Sequence, residues 1–360
     1  MFESCRAHGS ARTPRIGSGL SRSSCWADTR PCLHTRANWR GRSQRSPRLP
    51  RVPLYLTERD VEALLTPADS VVVLEDCFRR LAAGGVENMP RRRLALPGGY
   101  YAVMAAVDGE LGYAGLKSYT LVDGRLAFVV CLFELATGKL AAVIEADKLG
   151  QLRTGAASGV AANYLAREGA VSLGLIGCGW QGESQLAAIR AAMPRLERVI
   201  AWCRTPERLA AFCERTGAEA ADGPQVVARC DVVVTATTSQ DPVLRGDWLQ
   251  EGALVCAIGA NDPRARELDN VVLERASFVC CDSREQARLE SGDLIEPVEG
   301  GALDWLEVHE LQEVVSGEVQ GRGSARDMVV FKSNGIAAWD VAIGAAAVAR
   351  ARERGVGRDL

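Results

Sequence analysis

Histidine is almost missing from this chain. Three occur in 360 residues. Two lie in the first fifty, so His309 alone serves everything after Val52. That scarcity argues against a Ser–His–Asp hydrolase and a histidine-dependent 2-hydroxy-acid dehydrogenase. His309 itself sits in an amphipathic stretch and reads as structural or exposed. Lysine is scarce too, against many arginines. Twelve cysteines are present, but no CxxC pair, and no His/Cys/Asp cluster has metal-ligand spacing. Most of the cysteines fall in apolar, strand-like runs. They read as buried free thiols of a reducing compartment, with Cys280–Cys281 as strand core. No apolar run approaches the roughly 18 residues of a membrane-spanning helix. The expected location is the cytoplasm.

Charge is unevenly placed. Residues 1–50 hold ten arginines, no lysine and only Glu3 and Asp28 as acids, a balance of about +8. The whole chain is −2, which leaves the remainder near −10. An acidic body implies no nucleic-acid-binding surface. Residues 1–51, rich in Arg, Ser, Pro and Gly without apolar periodicity, are expected to be disordered. They lack the apolar core of a secretory signal, and match either a transit peptide or an over-extended start, with the working protein beginning near Val52.

What is present from Val52 onward divides into two patterns. Thr57 with Asp60, and Thr66 with Pro67, cap two helices, the second stopping at Gly84–Gly85. The segments YYAVMAAVD, YAGLKSYTL and LAFVVCLFEL read as strands, the last ended by the turn ATGK. A long small-residue helix, DKLGQLRTGAASGVAANYLA, follows. From Val171 strands and helices alternate: VSLGLIG, RVIAWC, CDVVVTAT, GALVCAIG and SFVCCD. Such alternation predicts a parallel sheet covered on both faces. The expected fold class is α/β. A Rossmann-type domain spans 151–324, and an α+β domain is built from 52–150 plus a C-terminal helical return over 325–354.

The stretch GCGWQG connects a strand to a helix, which is the context a dinucleotide-binding turn requires. Gly177 permits the tight turn, Gly179 lets the backbone approach a pyrophosphate, and Gly182 allows helix–strand contact. The helix N-terminus offers free N–H groups and the positive end of its dipole. Where NAD enzymes carry an acid for the ribose, the second strand ends in Cys203, Arg204 and Thr205. Arg204 is suited to a 2′-phosphate, with Thr205 as a donor, so NADP(H) is the expected cofactor and NAD(H) the alternative.

The motifs RRRLALP, GLKSY, QLRTGAAS, GLIGCGWQGESQL, TATTSQDPVL, IGANDPRARELD, ESGDL and FKSNGIAAWD occur in that order. Together they resemble the ornithine cyclodeaminase/mu-crystallin family over roughly residues 52–350. The resemblance implies a homodimer joined through the α+β domain, and an active site in the cleft between the domains. It also implies hydride exchange between nicotinamide and the Cα of a small amino or imino acid; from charge and hydropathy no nucleic acid or membrane partner is expected. Lys117 matches the family's active-site lysine, the expected acid/base. Arg92 and Arg153 match its carboxylate-binding arginines. Thr154 is expected to donate to the cofactor, with Gln181, Thr235 and Thr237 as further cofactor neighbours. Two departures bear on substrate. Asn261 stands where cyclodeaminases place an aspartate, and Ala102 near where they carry a glutamate; those acids serve the amines of a diamino acid. The expected activity is therefore NADPH-dependent reduction of an imino acid, of ketimine or Δ1-pyrroline-2-carboxylate type. The alternatives are ornithine cyclodeaminase, an alanine-type dehydrogenase and, from another class, a cofactor-bound ligand-binding protein like mu-crystallin.

Overall fold

In the computed structural model residues 52–360 are described; the Arg-rich tail expected to be disordered lies outside them. Two sheets organise the chain. The first contains β1 (Leu54–Leu56), β2 (Val86–Leu96), β3 (Gly99–Asp108), β4 (Tyr113–Val122), β5 (Arg125–Glu134) and β6 (Leu140–Glu145). Strand β15 (Arg358–Asp359) completes it, in the order β15-β1-β6-β5-β4-β3-β2. Its pairings are antiparallel apart from β1 with β6. The second contains β7 (Ser172–Ile176), β8 (Arg198–Trp202), β9 (Glu219–Ala220), β10 (Val232–Thr235) and β11 (Leu254–Ala257). With β12 (Phe278–Cys281), β13 (Val308–Glu310) and β14 (Val329–Lys332) it is wholly parallel, in the order β13-β12-β14-β11-β10-β7-β8-β9.

The helix signals act as the sequence implies. Thr57 and Asp60 form a reciprocal capping box on α1 (Glu58–Leu64), as do Thr66 and Asp69 on α2 (Pro67–Ala82). Such caps each add about 1 kcal/mol. Between the sheets runs α3 (Asp147–Leu165), buried around nearly its whole circumference. Its small residues explain how. A Cβ on Gly155 would lie 2.4 Å from the carbonyl oxygen of Ser184 on α4 (Trp180–Ala192), and one on Gly159 3.2 Å from that of Ala188. Close packing of α3 on α4 thereby fixes the Rossmann helix against the first sheet, which the C-terminal helix (Ala337–Arg354) covers on one face.

Seven strands go beyond the sequence reading; four of them, β1, β9, β13 and β15, are only two or three residues long, and the other three have distinct reasons. Strand β2 hides behind Pro90 and three arginines, and tolerates both because it is a sheet edge with a bulge between Met89 and Arg92. Strand β6 is a short apolar run that follows the turn ATGK and leads within two residues into α3. Strand β14 falls in the expected helical return from residue 325, yet inserts between β11 and β12. The parallel sheet therefore extends to Lys332, and the return to the first sheet begins after it. Both Cys280 and Cys281 are buried free thiols in β12. No helix among the described residues is long and apolar enough to cross a membrane.

In the parallel sheet, β7 lies between β8 and β10, so the chain winds outward in opposite directions from this point. Ligand clefts of open α/β sheets form at such a switch, beyond the carboxyl ends of the strands. Gly177 and Ala236 follow those ends here.

Candidate active site

The glycine turn has three distinct constraints. Gly177 has φ 115°, and a Cβ there would meet the Ala236 carbonyl at 2.3 Å. A Cβ on Gly182 would lie 2.2 Å from the Gly177 carbonyl, so α4 sits hard against the turn. At Gly179 a Cβ would meet no protein atom within 4 Å. Position 179 is the N-cap of α4 and offers no side-chain cap. The first-turn N–H groups thus have no side-chain cap, and Gly179, Trp180 and Gln181 line a cavity, an arrangement suited to an anion. Beyond β8 a pocket that also includes Gly179 is lined by Arg204, Thr205 and Arg208, with no carboxylate on its walls. Arg208 lies in the first turn of α5 (Pro206–Thr216) and was not singled out from sequence.

A larger cavity of about 620 Å³ continues from it, the two sharing Gly179, Ala236, Thr237 and Thr238. Its opposite wall is the first sheet. Lys117 on β4 is 3 % exposed, with Nζ 3.2 Å from Asp340 Oδ1. Arg153 on α3 reaches the same oxygen at 3.5 Å, its guanidinium over the Trp339 ring. Asp340 Oδ2 and Arg153 Nε are buried without hydrogen-bond partners. Burial, above all, pushes the Lys117 ammonium down to about 8; Asp340 opposes the shift, while Arg153 and Arg91 add to it.

The cavity arginine of the RRR run is Arg91, not Arg92. Once these residues form a strand, alternation places 91 and 93 on one face and 92 on the other. Arg91 is buried and lines the cavity, whereas Arg92 is exposed and does not. Arg91 pairs with Glu290 and donates to the carbonyls of Asn334 at 3.0 Å and Gly335 at 3.3 Å. Arg93 bridges Glu290 at 2.8 Å and the Asn261 carbonyl at 2.8 Å. Each acid thus holds two cations: Asp340 has Lys117 and Arg153, Glu290 has Arg91 and Arg93. Each cluster keeps one surplus positive charge, and their proximity to the cavity favours a carboxylate ligand.

Other expected residues are distributed unevenly. Gln181, Asn261, Thr154 and Thr237 line the cavity. The Thr154 hydroxyl donates to the Gly150 carbonyl at 2.7 Å, so towards a ligand it presents a lone pair and not the expected proton. Thr235 is fully buried and lines neither pocket; its hydroxyl donates to Glu267 at 3.0 Å. The Glu267 carboxylate also accepts from the N–H groups of Thr237 and Gly259, at 2.7 and 2.6 Å, and so fixes both loops of the cleft. His309 stacks on Phe278 and lies 3.0 Å from Glu313, remote from the cavity lining. Sequence reasoning passed over Asp340, Glu290 and Asn334. Asn334 lines the cavity with both side-chain polar atoms buried and unpartnered. Asp340 carried a usable signal: an acid in an Ala-rich helix needs a buried partner, as Arg153 does in α3.

Residues 51–355 match the model of the ornithine cyclodeaminase/mu-crystallin family. The chain is 35% identical over 319 residues to alanine dehydrogenase of Archaeoglobus fulgidus, covering 85% of this chain and 98% of that protein. It is 35% identical over 273 residues to a Δ1-pyrroline-2-carboxylate reductase of Bacillus cereus, covering 72% and 83%. Among solved structures, the Thermococcus litoralis Δ1-pyrroline-2-carboxylate reductase in complex with NADH and L-proline superposes with a TM-score of 0.81. It is 28% identical, and the match covers 85% of this chain and 100% of that one.

Proposed function

The chain belongs to the ornithine cyclodeaminase/mu-crystallin family, and from that premise we propose that it is an enzyme reducing the C=N bond of an α-imino acid to an L-amino acid, with NADPH as preferred hydride source. The observation that carries this reading is the pair of two-cation, one-acid clusters beside the glycine turn. A substrate carboxylate is held by the surplus charge at Arg153 and Arg91, which orients the imine carbon towards the turn. The chemistry a nicotinamide would supply, when bound at the turn, is a hydride for that carbon. The balance is iminium acid plus NADPH plus H⁺ giving the ammonium acid plus NADP⁺. Lys117, partly deprotonated near neutrality, delivers the proton to the substrate nitrogen or takes it back in the reverse direction. Asp340 keeps the lysine charged and aimed. Asn334 has unsatisfied amide groups for the substrate or for the cofactor's carboxamide.

The turn and pocket fit the cofactor. Gly179 leaves the space a pyrophosphate needs, and Arg204 and Arg208 stand where a 2′-phosphate meets no competing acid. Ornithine cyclisation fits less well: among the described residues the only carboxylate lining the cavity is the exposed Asp147 at the start of α3. The reading also makes the chain a homodimer. Val103, Ala105, Leu116 and Val129 form a half-buried apolar face on the side of the first sheet away from Lys117. Light scattering giving a monomer at micromolar concentration removes that part.

The test is a panel with NADPH or NADH: Δ1-pyrroline-2-carboxylate, Δ1-piperideine-2-carboxylate, and 2-oxo acids with ammonia, beside ornithine with NAD⁺. Turnover of the imines with oxidation of NADPH is expected. Ornithine conversion without net NADH formation defeats the proposal in favour of cyclodeamination, and cofactor binding without turnover of any substrate favours a binding protein.

A further inference from the structure

The cleft-facing side of the first sheet is built in rows, because residues two apart on a strand share a face and the register aligns them across strands. The deepest row is Met104, Lys117 and Val130. The next is Ala102, Tyr119 and Phe128, and the outermost Tyr100, Leu121 and Leu126. From Lys117 to Leu121 the face climbs about 13 Å at roughly 3.3 Å per residue. Lys117 and the aromatic and leucine members of the two outer rows all line the cavity.

The wall above the lysine is continuous. Tyr100 meets Tyr119 edge-on at 6.0 Å, and Tyr119 lies 5.1 Å from Phe128. Leu126 is 53 % exposed at the outer end, an apolar side chain left to water at the entrance of a cavity. The hairpin carrying these residues closes in the tight turn Asp123–Gly124, both at positive φ (48° and 75°), which locks its register. Arg93 stands opposite Ala102 in the middle row with its guanidinium over the Tyr100 ring, but it is paired with Glu290 and does not line the cavity; none of the outer-row side chains that line it is charged. The cations that line the cavity, Arg91, Lys117 and Arg153, stand at the deep end, and the acid Asp147 at the exposed start of α3.

A five-membered cyclic imine needs only the first few ångströms of this lane. On the imine-reductase reading above, we infer that the substrate is an α-imino acid whose side chain is an extended apolar or aromatic group. That side chain lies along the Tyr119–Phe128 and Tyr100–Leu121 rows, while its carboxylate and imine sit at the deep cations. A second carboxylate or an ω-ammonium on the side chain meets no charged lining residue in the lane, Arg93 being already held by Glu290, and is rejected by desolvation.

The test uses the full chain with NADPH and ammonia, comparing phenylpyruvate, pyruvate and oxaloacetate as sources of the imine. The expected kcat/KM with phenylpyruvate exceeds that with either of the others by about tenfold or more. Pyruvate or oxaloacetate as the better substrate overturns the inference. Leu121→Asp places a charge in the outer row and is expected to lower the phenylpyruvate-to-pyruvate ratio about tenfold; an unchanged ratio also overturns it. Calorimetric titration of the protein–NADP⁺ complex separates this inference from the reaction on which it rests. If no imine is reduced but L-phenylalanine binds more tightly than L-alanine, the reaction is wrong and the lane stands. If L-alanine binds as tightly or more so, the lane is wrong whatever the turnover.

Discussion

The two walls of the cleft solve opposite problems. On the first sheet the polar groups are side chains, nearly all buried and already paired: Lys117 and Arg153 on Asp340, Arg91 and Arg93 on Glu290. On the parallel sheet the functional surface is largely backbone, with the glycine turn open and the α4 N-terminus uncapped by any side chain. One wall holds charge in place before a ligand arrives; the other leaves donors for the ligand to satisfy. The difference teaches where chemistry and where binding energy reside. Substitutions on the first wall are expected to act on kcat and its pH profile. Those on the second are expected to act on cofactor affinity.

The largest effect tests the first half of that division. Lys117→Ala is expected to lower kcat by about two to four orders of magnitude, with NADPH affinity nearly unchanged. Near-wild-type turnover on the best imine would remove the lysine as acid/base and break the comparison at its centre. The wild-type enzyme gives a companion signature. Reduction uses the ammonium form of Lys117, whose pKa is about 8; its rate should therefore fall as pH rises through that value, and the oxidative direction should gain.

Gly179→Val addresses the other wall. Its side chain would enter open space, so folding should be retained, while approach of the pyrophosphate is blocked. The expected outcome is NADPH affinity reduced by about two orders of magnitude, an estimate that assumes loss of the backbone contacts at the turn, with an unchanged melting temperature. Equal affinity by fluorescence titration would mean that the pyrophosphate lies elsewhere.

Asp340→Asn separates aiming from mere structure. Asp340 raises the lysine pKa against burial, so its loss should shift the alkaline limb of the reductive profile to lower pH and reduce kcat about tenfold. A fall in melting temperature with the limb unmoved would assign Asp340 to stability alone.

What sequence could reveal follows the same division. The parallel-sheet wall was legible because its function resides in a local pattern, strand–GCGWQG–helix, whose spacing is the geometry. The first wall depends on long-range pairing. Lys117 meets Asp340 across 223 positions and Arg91 meets Glu290 across 199, separations that no local period encodes. Motif matching points to Arg92 within the RRR run; choosing Arg91 needs the strand, and Pro90 with three arginines masks it. Thr235 misled in the opposite way. It follows an apolar strand at the cleft, but its hydroxyl is taken by Glu267, a buried acid that only the fold brings there. Strand β14 escaped because four apolar-rich residues before a helix fit either structure.

The smallest expected effect refines the binding wall. Arg204 and Arg208 lie in the same acid-free pocket, one just beyond β8 and one in the first turn of α5. If they hold a 2′-phosphate, removing one guanidinium costs one charge-assisted contact at a site open to solvent, where screening weakens it. Arg204→Ala and Arg208→Ala should each weaken NADPH about five- to tenfold, and NADH by less than about twofold, because NADH carries no group for that contact. The paired cofactors make the test specific: a disturbed fold weakens both, whereas a lost phosphate contact weakens one. Raising salt should erode the NADPH advantage of the wild type and leave the double variant indifferent. Wild-type protein that binds NADH tenfold more tightly than NADPH would transfer these arginines from cofactor selection to surface solvation. The cleft would then bind NAD(H), with the acid of its ribose site replaced by the backbone and Thr205.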